Sequence, residues 1–154
     1  MPRLPRPLMQ AMMWLFHRAY RSFGDRMRVQ GRPLLELETV GGRSGAKRRT
    51  VVGWFPDTAA PNTNEPSHSW PVVASNAGSA RHPAWFLNLA RHPDQVWITM
   101  GQRRTKVTPE TLEGTEREQA WQQIGSLAPG YAAYQHKTDR AIPIVRLREH
   151  QGEP

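Results

Sequence analysis

The chain contains no cysteine, which removes disulfides, thiolate metal sites and cysteine nucleophiles from consideration. Acidic residues are scarce as well: 13 Asp and Glu stand against 21 Lys and Arg, a formal net charge of +8 with a pI near 11.0. That balance selects nucleic acid, anionic lipid and polyanionic small molecules as partners and separates none of them. Long apolar runs are missing. Leu8 to Phe16 is apolar apart from Gln10, about half of the ~20 residues that a membrane span requires, and His17, Arg18 and Arg21 follow at once. No small-residue cleavage site follows the run, so a secretory leader is not expected and cytoplasmic residence is. His17, His68, His82, His92, His136 and His150 are scattered without zinc-type spacing, and no metal is expected. The β-α-β alternation of a Rossmann site is absent. Ser44 and Ser75 lack a nucleophile-elbow context, and no carboxylate pair is placed for glycoside hydrolysis. Glu36 and Glu38 share one face of a strand, where solvation is the expected state.

What the chain does have is a glycine turn inside a cation cluster, Gly41-Gly42-Arg43-Ser44-Gly45-Ala46-Lys47-Arg48-Arg49-Thr50. Glycines let successive backbone N–H groups share one concavity, and Arg43, Lys47, Arg48 and Arg49 bring more charge than one phosphate needs. A ligand with several negative charges is implied.

At 154 residues with 38% hydrophobic content, the chain is read as one domain. Residues 8–23 read as an amphipathic helix with Leu8, Met12, Phe16, Ala19 and Phe23 near one stripe and a cationic opposite face. Alternation predicts a strand over 34–40 and a returning strand over 49–55, joined by the basic turn. Residues 57–71 read as an exposed loop, 71–75 as a strand, and Asn76-Ala77-Gly78-Ser79 as a second turn. Pro83 at a first helical position opens a helix over 83–90. Strands over 95–100 and 103–108 form a hairpin across Gly101-Gln102. Thr115 and Glu118 read as a capping box for a helix burying Ala120, Trp121, Ile124 and Leu127. Pro129-Gly130 breaks that helix; a helical segment over 131–137 and a strand over 142–147 close the chain. The result is an α+β protein whose six short, mostly antiparallel strands close into a barrel. Its parts are a helical lead-in (1–32), the barrel domain (33–148) and a short tail (149–154).

Two glycine turns at strand ends could frame an anionic ligand, with Ser75 and Asn76 bonding its uncharged part; both could equally be ordinary tight turns. Trp85 and Asn88 lie three apart on one helical face and could meet a flat heterocycle, whereas Phe86 and Leu89 are core. Tyr131 and Tyr134 also share a face, either as packing residues or as phenolic proton donors.

These segments, taken in order, resemble the deazaflavin (F420)-dependent nitroreductase and F420H2-dependent quinone reductase family of split β-barrel, FMN-binding-like oxidoreductases. The resemblance runs over about residues 8–148. It rests on Thr39-Val40-Gly41-Gly42-Arg43-Ser44-Gly45 with Arg48, Val73-Ala74-Ser75-Asn76-Ala77-Gly78, His82-Pro83-Ala84-Trp85-Phe86-Leu87-Asn88-Leu89, Pro129-Gly130-Tyr131-Ala132-Ala133-Tyr134-Gln135 and Thr138-Asp139-Arg140-Ala141-Ile142-Pro143. It implies coenzyme F420, with FMN as the alternative, and hydride transfer to a quinone, an activated alkene such as an enone, or a nitro compound. The basic turn (Gly41, Gly42, Arg43, Ser44, Gly45, Lys47, Arg48, Arg49) would hold the phosphate and oligoglutamate tail. Ser75, Asn76, Ala77 and Gly78 would lie along the deazaflavin, and Trp85 and Asn88 would line its pocket. Tyr131, Tyr134 or Ser75 would donate or relay a proton. The chain departs from the family pattern at Gly42, where many relatives have arginine, at Lys47, where many have proline, and at Asn76, where nitroreductase-like members often have lysine. Charge lost at 42 and 76 would be partly restored by Lys47 and Arg49. Membrane association of relatives implies a peripheral site on the inner face of the cell membrane, and the N-terminal helix either lies on anionic lipid or covers one end of the barrel. Two other functions are open: a non-catalytic split barrel binding a flavin, deazaflavin or fatty acid, and a nucleic-acid-binding protein. The basic turn lacks interleaved stacking aromatics, so no nucleic acid is expected.

Overall fold

The computed structural model describes residues 5–23, 26–58 and 68–151. In chain order they form α1 (Arg6–Phe23), β1 (Arg28–Val29), β2 (Arg32–Val40), β3 (Lys47–Gly53), β4 (Ser69–Val73), a 3-10 turn (Asn76–Gly78), α2 (Ala84–Arg91), β5 (Trp97–Met100), β6 (Arg103–Thr111), α3 (Gly114–Leu127), α4 (Pro129–Gln135) and β7 (Ile144–Glu149). Every pairing is antiparallel, in the order β3-β2-β5-β6-β7-β4, with the short β1 beside the start of β2. The sheet curls until its two ends meet at one bridge, Trp54 to Val72, where Phe55 N–H also donates to Pro71 O at 2.9 Å. Beyond that bridge β3 and β4 part. The barrel is therefore closed at one level and split along the rest of a seam.

Alternation decides what fills it. Leu35 and Leu37 of β2, Val145 and Leu147 of β7, and Ile98 of β5 point into the barrel core with Trp70, Val72 and Leu89. A second core, with Phe55, Leu112, Ile124, Tyr131 and Ile144, lies where α3 and α4 cover the outer face of β4 and β7. Arg146, on that outer face, is 1% exposed. Asp57 takes it in two hydrogen bonds, Nε to Oδ2 at 2.7 Å and Nη2 to Oδ1 at 3.0 Å. Burial lowers the Arg146 pKa, but the Asp57 hydrogen bond and the charges of Asp57, Glu116 and Glu110 outweigh it, so the group titrates above its ordinary value.

Several expectations are corrected. Glu36 and Glu38 are not solvated: they are 8% and 5% exposed, covered by side chains from α1, β3 and β6. Arg104 Nη2 donates to Glu38 Oε2, Arg49 Nη2 lies 3.5 Å from Glu38 Oε1, and His17 Nδ1 lies 3.8 Å from Glu36. Burial raises the Glu38 pKa, but the Arg104 hydrogen bond and the charges of Arg104, Arg49 and Lys47 bring it below the usual carboxylate range. The barrel-facing stripe of α1 is Met9, Met13 and Tyr20, whose Oη donates to Thr99 O at 3.1 Å. Of the expected stripe, Leu8 and Met12 are exposed, whereas Phe16 and Ala19 are half-buried. The Phe23 side chain lies outside the described set. No capping box forms: α3 starts at Gly114, Glu113 takes the cap position without a side-chain hydrogen bond, and Thr115 falls inside the helix. Ala120 and Ile124 are buried as expected, whereas Leu127 is exposed. Pro129 opens α4 at a position with no N–H to lose, and Pro83 caps α2 from outside it. The fourth strand starts at Ser69, because Trp70 belongs to the core. Residues 59–67 of the 57–71 loop and 152–154 of the tail lie outside the described residues.

Candidate active site: a two-chambered cleft along the seam

The open part of the seam holds two adjoining cavities, of about 770 and 320 Å³. They share Thr50, Asn76, Pro83 and Trp85, so the two form one cleft with a neck. The larger runs from the basic turn, past Asn88, to Trp85 and is walled by Met9 and Met13 of α1. The smaller is bounded by Ser75, Ala77, Val29, Gly53 and Tyr131.

The basic turn is tied at its ends and leaves backbone donors free between them. Its ends are tied by Gly41 N–H to Ala46 O at 2.8 Å and Gly45 N–H to Gly41 O at 3.0 Å, while Ala46 N–H uses Ser44 Oγ at 3.2 Å. The N–H groups of Gly42, Arg43 and Ser44 between them have no acceptor among the described residues. Three successive amides beside Arg43 and Arg48 make a concavity suited to phosphate or carboxylate oxygens. Strand pairing sets Arg48 opposite Thr39 and Arg49 opposite Glu38. Arg48 thus faces the cleft with Thr39, and Arg49, although it borders the cavity, lies beside Glu38 and Glu36. Lys47 and Gly45 do not line the cleft. Asn88 does, with its Nδ2 donating to Thr39 Oγ1 at 3.2 Å.

The second turn is strained. Asn76, Ala77 and Gly78 all have positive φ, at 45°, 52° and 77°, a region that costs a non-glycine residue of order 1–3 kcal/mol. It is held from outside by Arg140, whose Nε donates to Ser79 O at 2.8 Å, Nη2 to Ser75 O at 2.8 Å and Nη1 to Ala74 O at 3.2 Å. Nη1 also donates to His82 Nδ1 at 3.2 Å, which requires that nitrogen to be unprotonated. Burial lowers the Arg140 pKa, though not its charge at neutral pH. Gly78 lies behind the turn against Lys137 and lines neither chamber.

Tyr131 is 7% exposed, with its ring edge-on to Phe55 at 5.2 Å. A Cβ on Gly53 would lie 3.1 Å from Tyr131 Oη, so glycine there is what admits the hydroxyl to the chamber wall. Burial raises the Tyr131 pKa and Tyr134 raises it further, while the nearby Arg32 guanidinium, stacked on Phe55 at 4.9 Å, opposes both. Tyr134 is placed differently. Its Oη accepts from Gln30 Nε2 at 2.8 Å, its ring packs edge-on to Tyr131 at 5.8 Å, and it lines neither chamber.

Arg140, Arg32, Met9 and Met13 had no place in the sequence-based site. Arg140 stood inside a recognised motif without a role, and the four-residue spacing of Met9 and Met13 was the signal available for the wall.

A barrel split along a seam, with a cation-rimmed turn, a flat indole and a buried phenol lining one cleft, has room and donors for a flat cofactor that carries an anionic tail. The model of the family "F420H(2)-dependent quinone reductase" matches residues 12–149, and the chain belongs to that family. An F420H(2)-dependent quinone reductase of Mycobacterium tuberculosis is 33% identical over 134 residues, 83% of each chain. A solved F420-H2 dependent reductase (FDR-A) is 33% identical with a TM-score of 0.60, over 76% of this chain and 95% of that one. A second solved structure, described as a domain-swapped dimer, is 30% identical with a TM-score of 0.62, over 91% and 98%. The protein is an oxidoreductase, and its cofactor is coenzyme F420 in the reduced form.

The residues fit that cofactor. F420 carries a flat tricyclic ring, a phosphate and an oligoglutamate tail; the larger chamber offers Trp85 at its neck and unpaired amides with Arg43 and Arg48 at its far end.

Proposed function

We propose that this protein passes a hydride from F420H2 to a lipid-soluble quinone, with the cofactor in the larger chamber, its tail on the Gly41–Gly45 turn, and the acceptor in the smaller chamber. Activated alkenes and nitro compounds are electron-poor in the same way and belong to the same reading. The observation that carries it is the shared neck of Thr50, Asn76, Pro83 and Trp85, which joins a cationic chamber to one walled by a buried phenol. Bound F420H2 supplies the hydride. A quinone that accepts it carries negative charge on oxygen and needs one proton. Tyr131 holds such a proton at neutral pH, because its pKa lies above the ordinary tyrosine value. Arg32 lowers the cost of the phenolate formed when the proton leaves, and Ser75, on the same wall, can relay its replacement. Tyr134, committed to Gln30, braces the Tyr131 ring.

Titrating the protein into oxidised F420 is expected to change the cofactor's fluorescence, and a flat titration overturns this reading. In Tyr131→Phe, kcat with menadione should fall about 10²-fold, the usual contribution of a positioned acid, while the Kd for F420 stays near the parent's. A variant with parental kcat removes Tyr131 from the chemistry.

The same reading includes peripheral contact with anionic membrane. No helix among the described residues is long and apolar enough to cross a bilayer. Support comes from the outward face of α1, where Leu8, Met12, Trp14 and Leu15 are each more than half exposed and Arg18 stacks on Trp14 at 5.3 Å. An apolar strip with cations beside it suits the headgroup region. Co-sedimentation with phosphatidylglycerol vesicles is expected, and loss of it in Trp14→Glu with F420 binding intact. Equal sedimentation of parent and variant refutes the contact.

A further inference from the structure

At the crest of the basic turn, a Cβ on Gly42 would run into Nη1 of Arg91 and lie 3.0 Å from its Cδ and 3.3 Å from its Cζ. The Arg91 side chain therefore lies across the turn. Gly42 has no positive φ, so its backbone does not demand glycine. The space does.

Arg91 ends α2, where a cation complements the helix dipole. That explains a basic residue at this position but not a guanidinium laid over a neighbouring loop. Several arginines of the sheet have close counter-charges: Arg49 and Arg104 share Glu38, and Arg146 holds Asp57. By contrast, Arg43, Arg48 and Arg91 have no carboxylate partner among the described residues. Two of them line the larger chamber, and the third covers a glycine that does. Like charges gathered without counter-ions repel one another, and an anion among them relieves that cost. Beside this trio sit the unpaired amides of Gly42, Arg43 and Ser44.

We propose that Arg91 is an anion-binding residue of the cofactor cleft, gripping the acidic end of F420, and that Gly42 is glycine to admit it. The inference rests on the F420 reading and goes beyond it by assigning a residue on a different element from the turn. The charge restored around Gly42 then comes from Arg91, since Arg49 is held by Glu38 and Glu36 and Lys47 does not line the cleft. Phosphate and glutamate carboxylate share the chemistry a guanidinium recognises, and the test separates them.

Binding is read by fluorescence titration with three ligands: F420 with its glutamate tail, the deazaflavin bearing phosphate but no glutamate, and the bare deazaflavin alcohol. Arg91→Ala should weaken the tailed form about tenfold, as loss of one charge-assisted contact does, and leave the bare form unchanged. Arg48→Ala serves as the comparison inside the turn. A loss already present with the phosphate-only ligand assigns Arg91 to phosphate, and a loss confined to the tailed ligand assigns it to glutamate. Gly42→Ala, which displaces Arg91 while keeping its charge, should reproduce the selective loss and add little in the Arg91→Ala background. Parental affinity for tailed F420 in Arg91→Ala overturns the proposal, as does an equal loss for all three ligands. If the parent itself fails to bind any of them, the cofactor reading falls and this inference with it.

Discussion

Arg140→Ala is expected to weaken F420 binding about 10²-fold, although Arg140 lines neither chamber and touches backbone carbonyls instead of ligand. The turn it holds contains two non-glycine residues, Asn76 and Ala77, at positive φ. Such residues stay there only where their surroundings over-determine them. Besides the bonds within the turn and Asn76 Nδ2 to Arg81 O, Arg140 restrains it from outside, with one guanidinium spanning Ala74 O, Ser75 O and Ser79 O at 2.8 to 3.2 Å. Hydrogen bonds from a charged donor are worth about 1.5–3 kcal/mol each, and losing three while the strain remains lets other turn conformations dominate. If the competent turn falls to about one part in 10², apparent affinity falls in proportion. Because Asn76 lines both chambers, the effect should appear in Kd for F420 and in KM for F420H2, with kcat largely recovered at saturating cofactor. Arg140→Lys should rescue little, since a point-like ammonium cannot span three carbonyls as the guanidinium fork does. Binding within twofold of the parent in Arg140→Ala would show that the turn keeps its shape unaided.

Asp57→Ala should cost about 3–5 kcal/mol of stability, because it strands a buried guanidinium without its counter-charge. Arg146 and Asp57 have side chains 2% and 3% exposed, so solvent screens the pair little. Glu110 and Glu116, at 3.4 and 3.6 Å from Arg146 Nη1, are about half exposed and offset only part of the loss. Asp57 also accepts from Ser69 Oγ at 2.6 Å, which ties the segment after β3 to the start of β4 near where the barrel closes. Urea denaturation measures the cost. Exchanging both partners, Asp57→Ala with Arg146→Met, should return much of it, since a packed apolar pair need not compensate a charge. A single variant as stable as the parent would mean that Glu110 and Glu116 fully replace Asp57.

How much of this was legible in the sequence varies with the range of the interaction. The β2–β3 ladder with its glycine turn, the Gly101-Gln102 hairpin and the Asn76–Gly78 turn were all readable, because alternation and turn chemistry are local. The state of Glu36 and Glu38 was not. Their alternation with Leu35 and Leu37 correctly put them on a separate face, but a face is solvated only if nothing lies on it, and here His17 of α1, Arg49 of β3 and Arg104 of β6 do. The stripe of α1 held only in part, at Phe16 and Ala19, for a related reason: apolar residues occur on most of its circumference, so periodicity alone could not say which line of them meets the barrel.

By itself, then, the sequence determined the split-barrel class and the F420 family, and it marked the basic turn as the place to look for an anion, all from short-range patterns and motif order. Tertiary structure decided the charge accounting within that turn. Arg48 and Arg49 are adjacent in sequence, yet the pleat sends one toward the cleft and the other toward Glu38, while Arg91 arrives from a helix more than forty positions away. Which cations meet a ligand depends on where carboxylates from other elements come to rest, and only the folded chain sets that.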